Sequence, residues 1–166
     1  MTERQTTLHL LCGKIAAGKS TLAAQLGAAP DTVIVAEDSW LSLLYPDELK
    51  GLDDYVRASG RLRAAMAPHL RDLLDAGLSV VLDFPANTPK QRAWMRDLIR
   101  DTGVAHRLHY LDVPDEICRD RLRRRNAEGG HEFQVSDAIF DQVTRHFTPP
   151  APEEGFDVTV HRSAVA

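Results

Sequence analysis

Apolar and polar positions alternate between two patterns along the chain. Short, nearly continuous apolar runs recur at "TLHLLC" (7–12), "TVIVA" (32–36), "LSVVLD" (78–83), "AHRLHYLD" (105–112) and "FDVTVH" (156–161), and each predicts a strand. Between them apolar residues return every three or four positions, which predicts helices at about 19–28, 39–45, 53–76, 89–102, 114–127 and 136–147. Strands alternating with helices point to an α/β domain built on a parallel sheet. Several ends carry chemical punctuation. Thr88, Pro89 and Gln91 match a capping box with proline at the first helical position, Pro114 opens the next helix in the same manner, and Gly77 and Gly103 fall where helices should stop. The proline-rich "TPPAPEEG" (148–155) reads as a loop before the last strand. No segment repeats, so 1–166 is expected to be a single domain.

Composition narrows the function classes. Hydrophobic residues make up 43% and charged residues 27%, values near globular averages that give no reason to expect a fibrous or wholly disordered chain. The net charge of -4 argues against a long nucleic acid as main partner, because a polyanion needs a broad basic surface, and a small ligand suits it better. No apolar run approaches the roughly 18 residues of a membrane span. The start "MTERQTTLHLLCG" carries an early glutamate and no sustained apolar core, so no signal peptide is expected and the chain is expected to be cytoplasmic, as monomer or homodimer. Cys12 and Cys118 are far apart and in no CxxC pair, which favours reduced structural thiols.

The most specific chemistry lies in "GKIAAGKS" (13–20). Gly13, Gly18, Lys19 and Ser20 satisfy G-x-x-x-x-G-K-[ST] directly after a strand and directly before a helix. The glycines allow a tight turn whose N–H groups point inward at phosphate oxygens; Lys14, Ala16, Ala17 and Thr21 complete the expected ATP contacts. Lys19 would reach the β- and γ-phosphates, Ser20 would offer its hydroxyl to Mg²⁺, and the helix N-terminus adds a favourable field.

A phosphate loop serves switches, motors and kinases alike, so the remaining charged residues must decide the reaction. The second strand ends in "AEDSW", and a carboxyl end faces the ligand crevice, placing Glu37 or Asp38 near the γ-phosphate; Asp38 could accept the proton of an attacking hydroxyl. The bland alternative is that Asp38 or Ser39 only caps the short helix that follows. The third strand ends in Asp83, which resembles a Walker-B residue holding Mg²⁺ through water. Guanine recognition would need an N-K-x-D sequence, which is absent. In "CRDRLRRRNAEGGHEF" (118–133), Arg121 and Arg125 share a helix face and Gly129 and Gly130 follow, a pattern expected of a helical lid over about 119–135. The alternative is a solvated basic face paired with Asp115, Glu116 and Asp120. An acceptor pocket is expected from Trp40, Tyr45, Tyr55, Arg57 and Arg61, with Asn87 and Arg92 as further candidates. Among seven scattered histidines, His106 and His109 point to opposite faces of one strand, so no metal site is expected there.

Taken together, "GKIAAGKST", "AEDSW", "VVLDFPANTPKQR", "YLDVPDEICRDRLRRR" and the late "EGFD" resemble the small P-loop kinases related to zeta toxins, chloramphenicol phosphotransferase and the kinase domain of polynucleotide kinase. The resemblance covers nearly the whole chain. It implies a three-layer P-loop NTPase fold with a five-stranded parallel sheet ordered 2-3-1-4-5, and transfer of the ATP γ-phosphate to a hydroxyl of a small molecule. By position it makes Asp38 the base and Arg121 and Arg125 lid arginines. Zeta-type members carry an arginine about three residues after the base, where this chain has Leu41, and "DFPANT" is longer than the usual Asp-x-Thr-Asn run. No acceptor is therefore carried over. A nucleotide-dependent regulatory ATPase and a 5′-hydroxyl nucleic-acid kinase are the alternatives.

Overall fold

The computed structural model describes residues 4–129 and 135–162. Five strands, β1 (Thr7–Cys12), β2 (Thr32–Ala36), β3 (Ser79–Asp83), β4 (Ala105–Asp112) and β5 (Val158–Arg162), pair in parallel in the expected order, β2-β3-β1-β4-β5. Six helices connect them: α1 (Lys19–Gly27), α2 (Glu37–Leu44), α3 (Leu52–Asp75), α4 (Pro89–Ile99), α5 (Asp115–Glu128) and α6 (Asp137–Thr144).

Successive strand side chains alternate between faces, so the central strands β1, β3 and β4 feed cores on both sides of the sheet. Leu8, Leu10, Val80 and Leu82 pack with Leu62, Met66 and Leu70 of α3 and Met95 and Leu98 of α4. On the other face Leu11 and Val81 meet Ala23 of α1, while Leu111 meets Cys118 and Leu122 of α5 and Phe140 of α6. This double burial is why the central strands read as continuous apolar runs rather than alternating ones. Cys12 and Cys118 are buried free thiols, as expected.

Five boundaries differ in detail from the sequence reading. Helix α2 starts at Glu37 with Ala36 as its N-cap and no side-chain cap, so neither Asp38 nor Ser39 caps it. Thr88 does cap α4 by accepting from Gln91 N at 3.2 Å, but the Gln91 side chain accepts from Asn87 N at 2.9 Å, one residue before a true capping box. Helix α4 stops at Ile99; Asp101 (φ 61) and Gly103 (φ 70) both turn left-handed, so Gly103 belongs to the turn into β4. Pro114 is the residue before α5 rather than its first, and β5 begins at Val158. The loop between α6 and β5 lies across α4, where Arg92, fully buried, donates to Ala86 O (2.9 Å), Thr148 O (2.8 Å) and Glu154 Oε1 (2.7 Å).

Candidate active site

The phosphate loop runs from the end of β1 into α1. Gly18 adopts φ 105, a conformation side chains resist, and Ala16 also turns left-handed at φ 64. A Cβ on Gly13 would lie 3.2 Å from both Ala17 Cβ and Leu111 Cβ, a tight fit that favours glycine there. Helix α1 has no side-chain cap and no acid in its first turn, whereas Thr88 and Ser136 cap α4 and α6. Its first N–H groups are thus left for an anion. Lys19 folds back over the loop and donates to Gly13 O (2.6 Å) and Lys14 O (2.9 Å). Burial lowers its pKa from the ordinary lysine value, while the charges of Asp83, and after it Cys12 and Asp38, push upward. Lys14 instead braces the loop against α5, pairing with Asp115 at 2.5 Å. Thr21 is exposed on the first turn of α1.

Three acidic or hydroxyl groups gather at the carboxyl ends of β2 and β3. Ala36 and Asp83 are register partners, so Asp38, two residues on, lies beside the end of β3. Ser20 Oγ donates to Asp83 Oδ2 at 3.4 Å. Desolvation raises the pKa of Asp83, against the pull of Lys19 and the Ser20 hydroxyl. A hydroxyl and a carboxylate form a hard oxygen set of the kind Mg²⁺ takes. Asp38 is exposed in the first turn of α2.

Next to Asp38 stands a residue to which the sequence reading gave no separate role. Glu37 is 2% exposed and accepts from Ser59 Oγ at 2.7 Å and from the Tyr55 hydroxyl. Burial raises its pKa, and the two hydroxyls counteract that. The Tyr55 hydroxyl is therefore committed to α2. The signal was present in the sequence: Tyr55 and Ser59 are four apart and share one helix face.

The arginines divide. Arg121 Nη1 donates to Ala17 O at 3.3 Å and so rests on the phosphate loop. Arg119 pairs with Asp141 at 2.6 Å and Arg123 with Asp137 at 3.0 Å, tying α5 to α6. Arg125 is half-buried one turn beyond Arg121. Of the expected lid, residues 119–128 are helix, while Gly130 and the stretch to 134 lie outside the described residues. Between the loop, α5 and the end of β5 is a recess of about 120 Å³ lined by Ala17, Leu111, Val113, Arg121, His161 and Arg162.

The expected acceptor residues lie on α2 (Trp40), just after it (Tyr45) and on α3 (Tyr55, Arg57 and Arg61). Arg57 pairs with Asp54 on the exposed side of α3, and Arg61 is exposed one turn later. Trp40 is exposed on α2 with Leu43 and Leu44, and lies two residues from Asp38, on a different side of the helix. Tyr45 packs against the core. Asn87 and Arg92 are corrections: Asn87 Oδ1 accepts from Gly13 N at 2.9 Å and so holds the phosphate loop, and Arg92 is buried among carbonyls and Glu154.

The sequence model of the AAA domain family matches residues 8–150. The chain belongs to that family. Solved structures share the fold of this AAA-domain chain. A putative kinase from Chloroflexus aurantiacus is similar at TM-score 0.72 and 16% identity, over 98% of this chain and 87% of its own. A sugar kinase from a Janibacter species matches at 0.68 and 17%, over 96% and 86%. The Mycobacterium tuberculosis APS kinase in complex with AMPPNP and APS matches at 0.57 and 17%, over 99% and 92%. No curated protein sequence matches it. The AAA-domain chain thus has a P-loop kinase-like fold, and among its described residues no helix is long and apolar enough to cross a membrane.

Proposed function

We propose that the protein transfers the γ-phosphate of ATP to a hydroxyl of a small molecule. The observation that carries this reading is the convergence of Lys19, Ser20, Asp83 and Asp38 around an uncapped helix N-terminus. Ser20 and Asp83 would hold Mg²⁺, Asp83 through water, and the bound metal supplies charge for the phosphate oxygens. Lys19 neutralises the transferring group, and Arg121 stands where it can offset charge from the other side of the loop. As the acceptor oxygen bonds to the γ-phosphorus and the bond to ADP breaks, the hydroxyl proton passes to Asp38. Trp40, Arg57 and Arg61 are proposed to contact the acceptor once α2 and α3 meet it. Tyr55 acts at one remove, through Glu37. That a sugar kinase and an APS kinase share the fold supports a small hydroxylated acceptor.

Incubation with Mg·ATP and a metabolite and antibiotic collection, read by mass spectrometry, should reveal an acceptor gaining one phosphoryl group. With that acceptor, Asp38→Asn should lower kcat by about 10² to 10⁴ while nucleotide affinity holds. Unchanged turnover would remove Asp38 from the mechanism. Nucleotide-dependent capture of a partner with no phosphorylated acceptor would put a regulatory ATPase in its place, and label appearing on oligonucleotide 5′ ends would make it a nucleic-acid kinase.

A further inference from the structure

His9, His109 and His161 come from three adjacent strands and form one hydrogen-bonded row. His9 Nδ1 lies 3.0 Å from His109 Nε2, and His109 Nδ1 lies 2.9 Å from His161 Nε2. In register, His109 stands opposite Leu11, and His161 opposite Leu111, so each step across the sheet moves two residues toward the carboxyl edge. The row therefore starts beside the beginning of β1 and ends at His161, in the wall of the recess that Ala17 and Arg121 share. His109 spends one ring nitrogen on each neighbour, so the rings do not converge on a point. Accordingly, no group of three metal-ligating side chains occurs among the described residues.

Proton counting gives the row a definite capacity. Three neutral imidazoles carry three N–H protons on six nitrogens: one in each of the two links, and one at an outer end, His9 Nε2 or His161 Nδ1. One added proton caps the other end and leaves both links intact. A second would set two N–H groups face to face. We propose that this row is a one-proton site that fills when nucleotide occupies the phosphate loop, so that the protein takes up a proton on binding Mg·ATP. The inference rests on the nucleotide site proposed above.

The charges around the row set the sign. Arg121 on α5 and Arg162 on β5 line the recess at the His161 end, and Arg107 and Arg4 act on the His9 end. Lys14 and Lys19 lie in the nearby loop. The carboxylates within reach are already engaged, Asp112 with Arg162 at 3.7 Å and Asp157 with Arg107 at 3.4 Å. From the helices over this face come the buried Cys118 thiol and apolar Ala23, Leu122 and Phe140. Burial, then the neighbouring histidines and Arg107, push the central His109 down to about 4, so the empty row is disposed to stay neutral. The γ-phosphate end of the site is marked by Ser20, Asp83 and Asp38 toward β2 and β3. Because Ala17 of the phosphate loop lines the recess together with Arg121 and His161, a nucleotide held by the loop would bring phosphate charge to that side of the row. That charge favours the cationic row, and by linkage nucleotide affinity rises as pH falls.

Nitrogen-resolved NMR of the histidine rings tests this, with His9 as reporter because it is the ring farthest from the recess. Saturating Mg·ATP should raise the proton affinity of His9 about threefold or more in the wild type. The rise should vanish in His109→Gln, which cuts the row while leaving nucleotide affinity at pH 8 close to wild type. His161→Gln cuts the row at its other end and should silence His9 in the same way, so the test survives if His109→Gln does not fold. A His9 that ignores nucleotide in the wild type, or responds equally in the cut rows, would overturn the proposal. If the phosphate-loop amides of the wild type do not respond to Mg·ATP either, the nucleotide site fails with it; if they do, only the row fails.

Discussion

Gly13 carries two obligations. Its N–H is held by Asn87, and the space where a side chain would stand is closed by Ala17 and Leu111 on either side. Gly13→Ala should therefore push the loop away from β4, costing about 1 to 3 kcal/mol in chemical denaturation and weakening nucleotide binding at the same time. Gly13, Gly18, Lys19 and Ser20 were legible because four residue types at fixed spacing, between a strand and a helix, admit few other readings. Glu37 was harder to see. A glutamate at a strand end looks solvated, and only the third dimension brings Tyr55 and Ser59 onto its oxygens. Asn87 was singled out for the wrong partner: its polarity suggested a ligand, but the ligand is the chain's own backbone.

At the scale of elements, strand positions were the most readable feature, since runs buried on both faces leave a strong apolar trace. Helix ends were less so, because a left-handed residue such as Asp101 finishes a turn without the glycine or asparagine that usually announces one. The segment from Thr148 to Asp157 was read only as a loop, yet it is a strap. Thr148 N donates to Asn87 O at 2.8 Å, Arg92 holds Glu154, and Arg96 Nη1 donates to Glu154 O at 2.6 Å. Arg92→Leu would leave Glu154 and the carbonyls of Ala86, Thr148 and Pro149 without this donor, and should destabilise the protein by about 3 to 5 kcal/mol in urea unfolding. Arg92→Lys should restore little of this, since an ammonium cannot reproduce the planar fork that serves Glu154 and the carbonyls together.

For the molecule as a whole, the sheet order was reached through family resemblance, whereas the alternation of strands and helices argued only for some parallel sheet. Cross-strand encounters were invisible for the same reason: His9, His109 and His161 are distant in sequence, and no period connects them. Their burial has a global consequence for the empty protein. Because the folded-state value of His109 lies near 4 and the ordinary value is 6.5, the unfolded chain binds more protons between these limits. Stability should thus fall as pH drops from 6.5 toward 4. Glu37 and Asp83, whose values are raised, act in the opposite sense, so the clean measurement is a difference. The gap in denaturation midpoint between wild type and His109→Gln should move in favour of the variant on acidification across that window.

The strap also decides where the domain can be cut. The family match stops at residue 150, which lies inside the strap, before both Glu154 and β5. A fragment trimmed to the matched residues would keep the phosphate loop, Asp38 and Asp83 intact. It would also keep Arg92 in the core with its counter-charge removed, and expose the flank of β4 that β5 covers. The smallest unit worth expressing therefore extends through Arg162.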